Sequence, residues 1–134
     1  MKNAKIIIIG LVILVIALGG AVLWFMNASK EPVVEHFLYD TGDAFVTNIA
    51  ESRSLLKTHV TIELTDKESL KFCESNQVKV RDTIIGILRS KTREVLAAEE
   101  NTHNLKQEVI STLCDQYALK GIENIYFNEF VIQQ

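Results

Sequence analysis

Residues Ile6 to Met26 form an uncharged run of 21 residues dominated by isoleucine, leucine and valine. A helix rises ~1.5 Å per residue, so a run of this length spans roughly 30 Å, the thickness of a bilayer's hydrocarbon core. A lone segment in lipid must satisfy its backbone hydrogen bonds internally, which leaves the helix as its conformation. No polar face breaks the run, which argues against the core helix of a soluble fold. The expected layout is a tip at 1–5, a transmembrane helix at 6–26, a juxtamembrane linker at 27–42 and one domain at 43–134. Ile6, Ile9, Leu11, Leu14, Leu18, Trp24 and Phe25 are the candidate membrane-anchoring side chains.

Lys2 and Lys5 also give this segment the basic start of a cleaved secretory signal. The apolar run, however, exceeds the ~7–15 residues of a signal's hydrophobic region, and Trp24-Phe25-Met26 stand where a signal peptidase requires small residues. The segment reads as an uncleaved anchor. Lys and Arg beside a span are retained in the cytoplasm. Lys2 and Lys5 stand alone on one side, whereas Lys30 on the other is followed by Glu31 and Glu35, so the domain is expected outside the cytoplasm. Gly10, Ala17, Gly20 and Ala21 fall roughly on one helical face. They are ordinary small residues of a span or a face for a second helix.

The remainder carries 12 basic and 17 acidic side chains, a net charge of −5. That excludes a basic footprint for nucleic acid. Cys73 and Cys114 both sit among apolar neighbours at helical spacing and read as small buried hydrophobes, with a disulfide as the alternative. Asn27-Ala28-Ser29 matches a glycosylation sequon but lies against the membrane.

Phe45-Val46-Thr47-Asn48-Ile49 predicts a short strand and Glu51-Ser52-Arg53-Ser54 a turn. In Leu55 to Leu64, Leu56, Thr58, Val60, Ile62 and Leu64 alternate with Lys57, His59, Thr61 and Glu63, the period of a half-buried strand. The two strands are expected to form an antiparallel hairpin. Thr65 with Glu68 reads as a capping box for a helix to about Arg89, with an apolar stripe through Cys73, Gln77, Val80, Ile84, Ile87 and Leu88. A short turn of helix is expected at Val95-Leu96. A second helix follows from the possible caps at 101–104 through Leu105, Val109, Leu113 and Tyr117 to Lys120-Gly121. The last strand, Ile122 to Ile132, shows apolar residues on both faces: Ile125, Phe127 and Val131 on one, Tyr126, Phe130 and Ile132 on the other. That pattern places it at the centre of the sheet. The fold class is α+β, an antiparallel sheet packed against helices. The expected core includes Phe45, Val60, Ile62, Ile84, Leu88, Leu113, Phe127 and Phe130.

No chemistry is legible in these residues. His36, His59 and His103 share no metal-ligand spacing, and no cysteine pair has the CxxC form. There is no phosphate-binding glycine loop and no HExxH. No cofactor or enzymatic activity is expected. The basic run Lys79, Arg81, Arg89, Lys91, Arg93 reads as a solvated helix face.

Three motifs, in order behind an anchor, carry a family resemblance: Phe45-Val46-Thr47-Asn48-Ile49 with Leu56-Lys57; Arg81-Asp82-Thr83-Ile84-Ile85 with Leu88-Arg89-Ser90-Lys91-Thr92; and Ile125-Tyr126-Phe127-Asn128-Glu129-Phe130-Val131-Ile132-Gln133. With the layout around them, the chain resembles the flagellar basal-body-associated FliL proteins over about residues 5 to 133. Asn128 stands where that family more often has threonine, the two cysteines are not a family feature, and the linker is short. The resemblance implies a fold similar to the stomatin/prohibitin-type (SPFH) domain and a single-pass protein of the bacterial inner membrane, at the flagellar basal body. It implies contact with the motor's stator subunits, assembly into rings, and support of torque, motility and swarming without catalysis. The competing function is a scaffold or regulatory module of another envelope complex, such as a protease-regulating protein of the same fold group.

A ring needs a heterologous interface between unlike surfaces. Arg89, Lys91 and Arg93 of one copy facing Glu99, Glu100 or Glu108 of the next would supply complementary charge, against the default of two solvated patches.

Overall fold

A computed structural model describes all 134 residues. The chain divides into two compact units, Met1–Val34 and Glu35–Gln134. The first is a single helix, α1 (Lys2–Ala28), with no buried residue. It is long and apolar enough to cross a membrane.

The second unit runs β1 (Phe37–Asp40), β2 (Phe45–Asn48), β3 (Leu55–Leu64), α2 (Lys67–Ser75), α3 (Gln77–Arg89), α4 (Arg93–Ala97), a 3₁₀ turn (Glu99–Asn101), α5 (Thr102–Tyr117) and β4 (Ile122–Gln133). It is the expected α+β domain, with every strand pairing antiparallel to β3. β1 and β2 share one edge of β3, paired with its C-terminal and N-terminal halves, and β4 takes the other. The alternation read in β3 is present in the fold: Leu56, Thr58, Val60, Ile62 and Leu64 are buried and the residues between them are not. Helices cover only the face to which those five residues point. Phe45, Ile84, Leu88 and Leu113 join Val60 and Ile62 in this core.

β1 lies inside the stretch read as a linker. Its four residues are too few to show a period, yet Tyr39 is buried and its hydroxyl donates to the Cys73 carbonyl at 2.9 Å.

The helix expected from 65 to 89 is two helices broken at Asn76. That residue leaves helical geometry (φ −125°, ψ 36°), and both its backbone N–H and its side-chain amide donate to the Phe72 carbonyl. The apolar stripe crosses the break, so periodicity alone conceals it. The N-cap is Asp66, whose carboxylate accepts from the Ser69 N–H at 2.8 Å. The Thr65 hydroxyl instead donates to the Gly121 carbonyl.

α5 ends at Tyr117, with Ala118 in the left-handed region at φ 54°. Gly121 does not cap it. At φ +65° it lets β4 start against Thr65, where a Cβ would lie 2.6 Å from the hydroxyl oxygen.

β4 is an edge strand, and β3 is the central one. The register slips by one residue between His59 and Val60, so Asn128 is bulged out. The slip turns Phe127 and Phe130 to the same face, with ring centroids 5.6 Å apart, edge to face. Ile125, Phe127, Phe130 and Ile132 therefore line the covered face, while Tyr126 and Val131 remain on the open one. Phe127 and Phe130 are half-buried at the margin of the core rather than at its centre.

Candidate functional site

The two thiols are free, Cys73 buried and Cys114 half-buried. Burial, then the Glu74 charge, pushes Cys73 up to about 11, and burial also raises Cys114. Thiols held protonated are poor nucleophiles. No three His, Cys, Asp or Glu side chains converge as a metal site. The informative features are surfaces.

The six charged residues assigned to an intermolecular interface are only partly free. Lys91 forms an ion pair with Glu108 of its own chain, linking the α3–α4 connection to α5. Both side chains remain partly exposed. Arg93 donates to the Ser54 hydroxyl at 3.3 Å and is half-buried. Arg89, Glu99 and Glu100 are exposed and make no ion pair.

Arg81, read as part of a solvated face, is a structural clamp. Its guanidinium donates to the Thr41 and Asp43 carbonyls at 2.9 and 2.7 Å and lies 4.1 Å from the centre of the Phe45 ring. Nothing in the helical spacing marks it, because its partners lie some 40 residues away.

The sheet face away from the helices carries a polar network. Glu63 accepts from the Tyr126 hydroxyl at 2.6 Å and pairs with His36 Nδ1 at 2.9 Å. His59 Nε2 lies 2.9 Å from Asp40, Lys57 pairs with Glu129 at 3.0 Å, and the Asn128 amide donates to the Thr61 hydroxyl at 2.7 Å. The Tyr126 hydroxyl, then His36, holds the Glu63 carboxyl below its ordinary range. The Gly42 N–H, then His59, does the same for Asp40. Asn128 is thus both the bulged residue and a ligand of this network. Its partner follows from the strand register, which the sequence does not display.

On the helical side, a cleft of about 440 Å³ opens between β4 and the segment from α4 to the start of α5. Val95, Ala97, Leu105, Phe127, Phe130 and Ile132 line it, with Glu99 at its rim. Phe127 and Phe130, expected as core, are walls of this cleft.

In α1, the anchor candidates Ile6, Ile9, Leu11, Leu14, Leu18, Trp24 and Phe25 are each at least 59% exposed. Gly10, Ala17, Gly20 and Ala21 are likewise exposed, and a Cβ at Gly10 or Gly20 would meet nothing within 4 Å.

Comparison with known proteins places these features in a family. Residues 38–133 match the model described as flagellar basal body-associated protein FliL. The flagellar protein FliL of Aquifex aeolicus (strain VF5) is 30% identical over 98 residues, which are 72% of this chain. They are 61% of that relative, so the chain spans about three-fifths of the relative's length.

Proposed function

Because the chain belongs to the FliL family of flagellar basal body-associated proteins, we infer that it is anchored by α1 in the bacterial inner membrane beside the flagellar motor. In this reading the N-terminus is cytoplasmic and the α+β domain stands outside, where it engages the stator units and supports torque, motility and swarming. The match over residues 38–133 carries the reading, since it covers β1 to β4 almost entirely. The apolar α1 supports the membrane placement, and Lys2 and Lys5 ahead of it support the orientation. The function is mechanical rather than catalytic.

One small domain on one helix has little leverage on a rotating machine. Copies arranged as a ring around a stator would hold it by geometry and repeated weak contacts. With Lys91 and Glu108 already paired within the chain, Arg89 on one copy facing Glu99 and Glu100 on the next is the charge complement left for such a ring. Exposed pairs contribute only about 0–1 kcal/mol each, so apolar contact must carry the affinity. Similarity to the SPFH domain belongs to the same reading and rests on the family resemblance.

The experiment is fluorescence imaging of the tagged full chain in flagellated cells, with a deletion strain scored for swimming and swarming under viscous load. The reading expects foci at flagellar bases and weaker motility under load. An even distribution over the membrane with unchanged motility would remove it.

A further inference from the structure

Three features coincide at the C-terminal end of β4. The first is an open sheet edge. β4 bonds to β3 alone, and no main-chain hydrogen bond leaves its other side. The bulge at Asn128 interrupts that edge in the middle of the strand, but the register from Glu129 to Gln133 is unbroken. Five regular residues offer about 17 Å of alternating N–H and C=O groups. The second is the cleft beside this edge, where Phe127, Phe130 and Ile132 of β4 face Leu105 and where Asn101 and Thr102 add polar groups to the wall. The third is charge. Glu99 lines the cleft and Glu94 and Glu100 flank it in sequence; all three are exposed and without any cationic partner.

An open edge beside a cleft with apolar walls and a few polar groups is the geometry of strand addition, in which the main chain supplies hydrogen bonds and alternate side chains fill the cleft. The carboxylates select the sign of what sits beside them. We propose that this surface takes an extended segment of another protein, apolar at alternate positions with Lys or Arg between them, added as a new edge strand to residues 129–133 of β4. The inference gives Glu99 and Glu100 to the added strand in place of Arg89 of a neighbouring copy, and stands whether or not the partner belongs to a flagellar motor.

The test uses the purified full chain in nanodiscs of zwitterionic phosphatidylcholine, with empty nanodiscs as baseline. The probes are fluorescent ten-residue peptides: one alternating valine and lysine, one alternating valine and glutamate, and one valine–lysine peptide N-methylated at every second amide. The valine–lysine peptide is expected to bind and to slow hydrogen exchange at residues 129–133. Glu99→Lys with Glu100→Lys is expected to weaken it by about tenfold, the worth of two rim charges. Ala97→Trp, which fills the cleft from an exposed position, is expected to weaken it as well. Both variants are checked for unchanged circular dichroism and melting, so that lost binding is not lost folding. Equal binding of the glutamate or N-methylated peptide, or indifference to both variants, overturns the proposal. So does a chain that is oligomeric without peptide and is dissociated by Ala97→Trp, because the cleft then holds a second copy.

Discussion

Arg81 on α3 and Thr41 in the β1–β2 turn, 40 residues apart in sequence, are joined by a 2.9 Å hydrogen bond from guanidinium to carbonyl. The same carbonyl accepts from the Gln77 amide at 3.1 Å. Thr41 is fully buried, and both its N–H and its hydroxyl donate to the Val60 carbonyl. Between these contacts Gly42 holds φ +93°, where a Cβ would lie 2.8 Å from Gln77 Nε2. The turn is therefore pinned from the helix layer above and the central strand below.

Arg81→Ala is expected to destabilise the domain by about 1.5–3 kcal/mol, the range for hydrogen bonds to a charged group, with the cation–π contact to Phe45 included in the loss. Arg81→Lys is expected to recover little, since an ammonium lacks the planar fork that reaches two carbonyls while lying on a ring. Arg89→Ala, at an exposed position on the same helix, is expected to stay within about 0.5 kcal/mol of wild type. Urea unfolding of the full chain in detergent measures all three. Equal midpoints for Arg81→Ala and Arg89→Ala would return Arg81 to the solvated face.

Phe127→Ala and Phe130→Ala are expected to cost less than Leu113→Ala, because Leu113 is fully buried and the two rings are not. Buried Leu→Ala changes cost about 2–5 kcal/mol. The rings meet edge to face, so the double substitution is expected to be non-additive by about 0.5–1.5 kcal/mol. Additive losses in a double-mutant cycle would place the rings on opposite faces, as plain alternation predicts.

That alternation shows where the sequence is readable. β3 is legible because one face is covered and one open over ten regular residues. The stripes of α3 and α5 are legible for the same reason: Val80, Ile84 and Leu88, and Leu105, Val109 and Leu113, all bury at helical spacing. β4 is misread because a bulge is one residue of register with no signature of its own. β1 is missed because four residues carry no period. The surfaces fare worse than the core. Lys91 with Glu108, Arg81 with Thr41, and Tyr126 with Glu63 are each set by how separate elements dock, which local spacing does not encode.

Thr58 points into the core with its hydroxyl buried and without a hydrogen-bond partner. Thr58→Val keeps the shape and removes a desolvated polar atom. It is expected to raise stability by about 1 kcal/mol. A lowered melting temperature for Thr58→Val would mean that the hydroxyl is satisfied in solution.

Acid sensitivity follows from the open sheet face. Asp40 and Glu63 are both held below their ordinary values, so the unfolded chain takes up their protons first as pH falls. Their contribution is present above the unfolded values of 3.8 and 4.5 and is lost as pH drops through the lower folded values. Glu63→Gln is expected to flatten the acid limb of the stability profile. Since the Tyr126 hydroxyl acts on Glu63 more than His36 does, Tyr126→Phe is expected to raise the Glu63 titration midpoint further than His36→Ala. Carboxyl-carbon NMR measures both, and the reverse order would assign the control to the histidine.

The membrane reading of α1 makes the sharpest demand on a single helix. Every residue from Ile6 to Met26 is exposed, so the segment has no protein core to account for its apolar character. Leu14 and Leu18 lie one turn apart near its middle, at 59% and 60% exposure. An arginine at the centre of a span costs about 2.5–3.5 kcal/mol on insertion scales, so Leu14→Arg with Leu18→Arg costs about 5–7 kcal/mol. Positions near the ends respond less, because a long basic side chain there reaches the interface. Trp24→Arg is therefore expected to leave membrane retention nearly intact, while the central pair abolishes it. Carbonate extraction and fractionation of cells expressing each variant separate the two outcomes. Recovery of the Leu14→Arg, Leu18→Arg chain in the membrane fraction would show that something other than α1 holds the protein there.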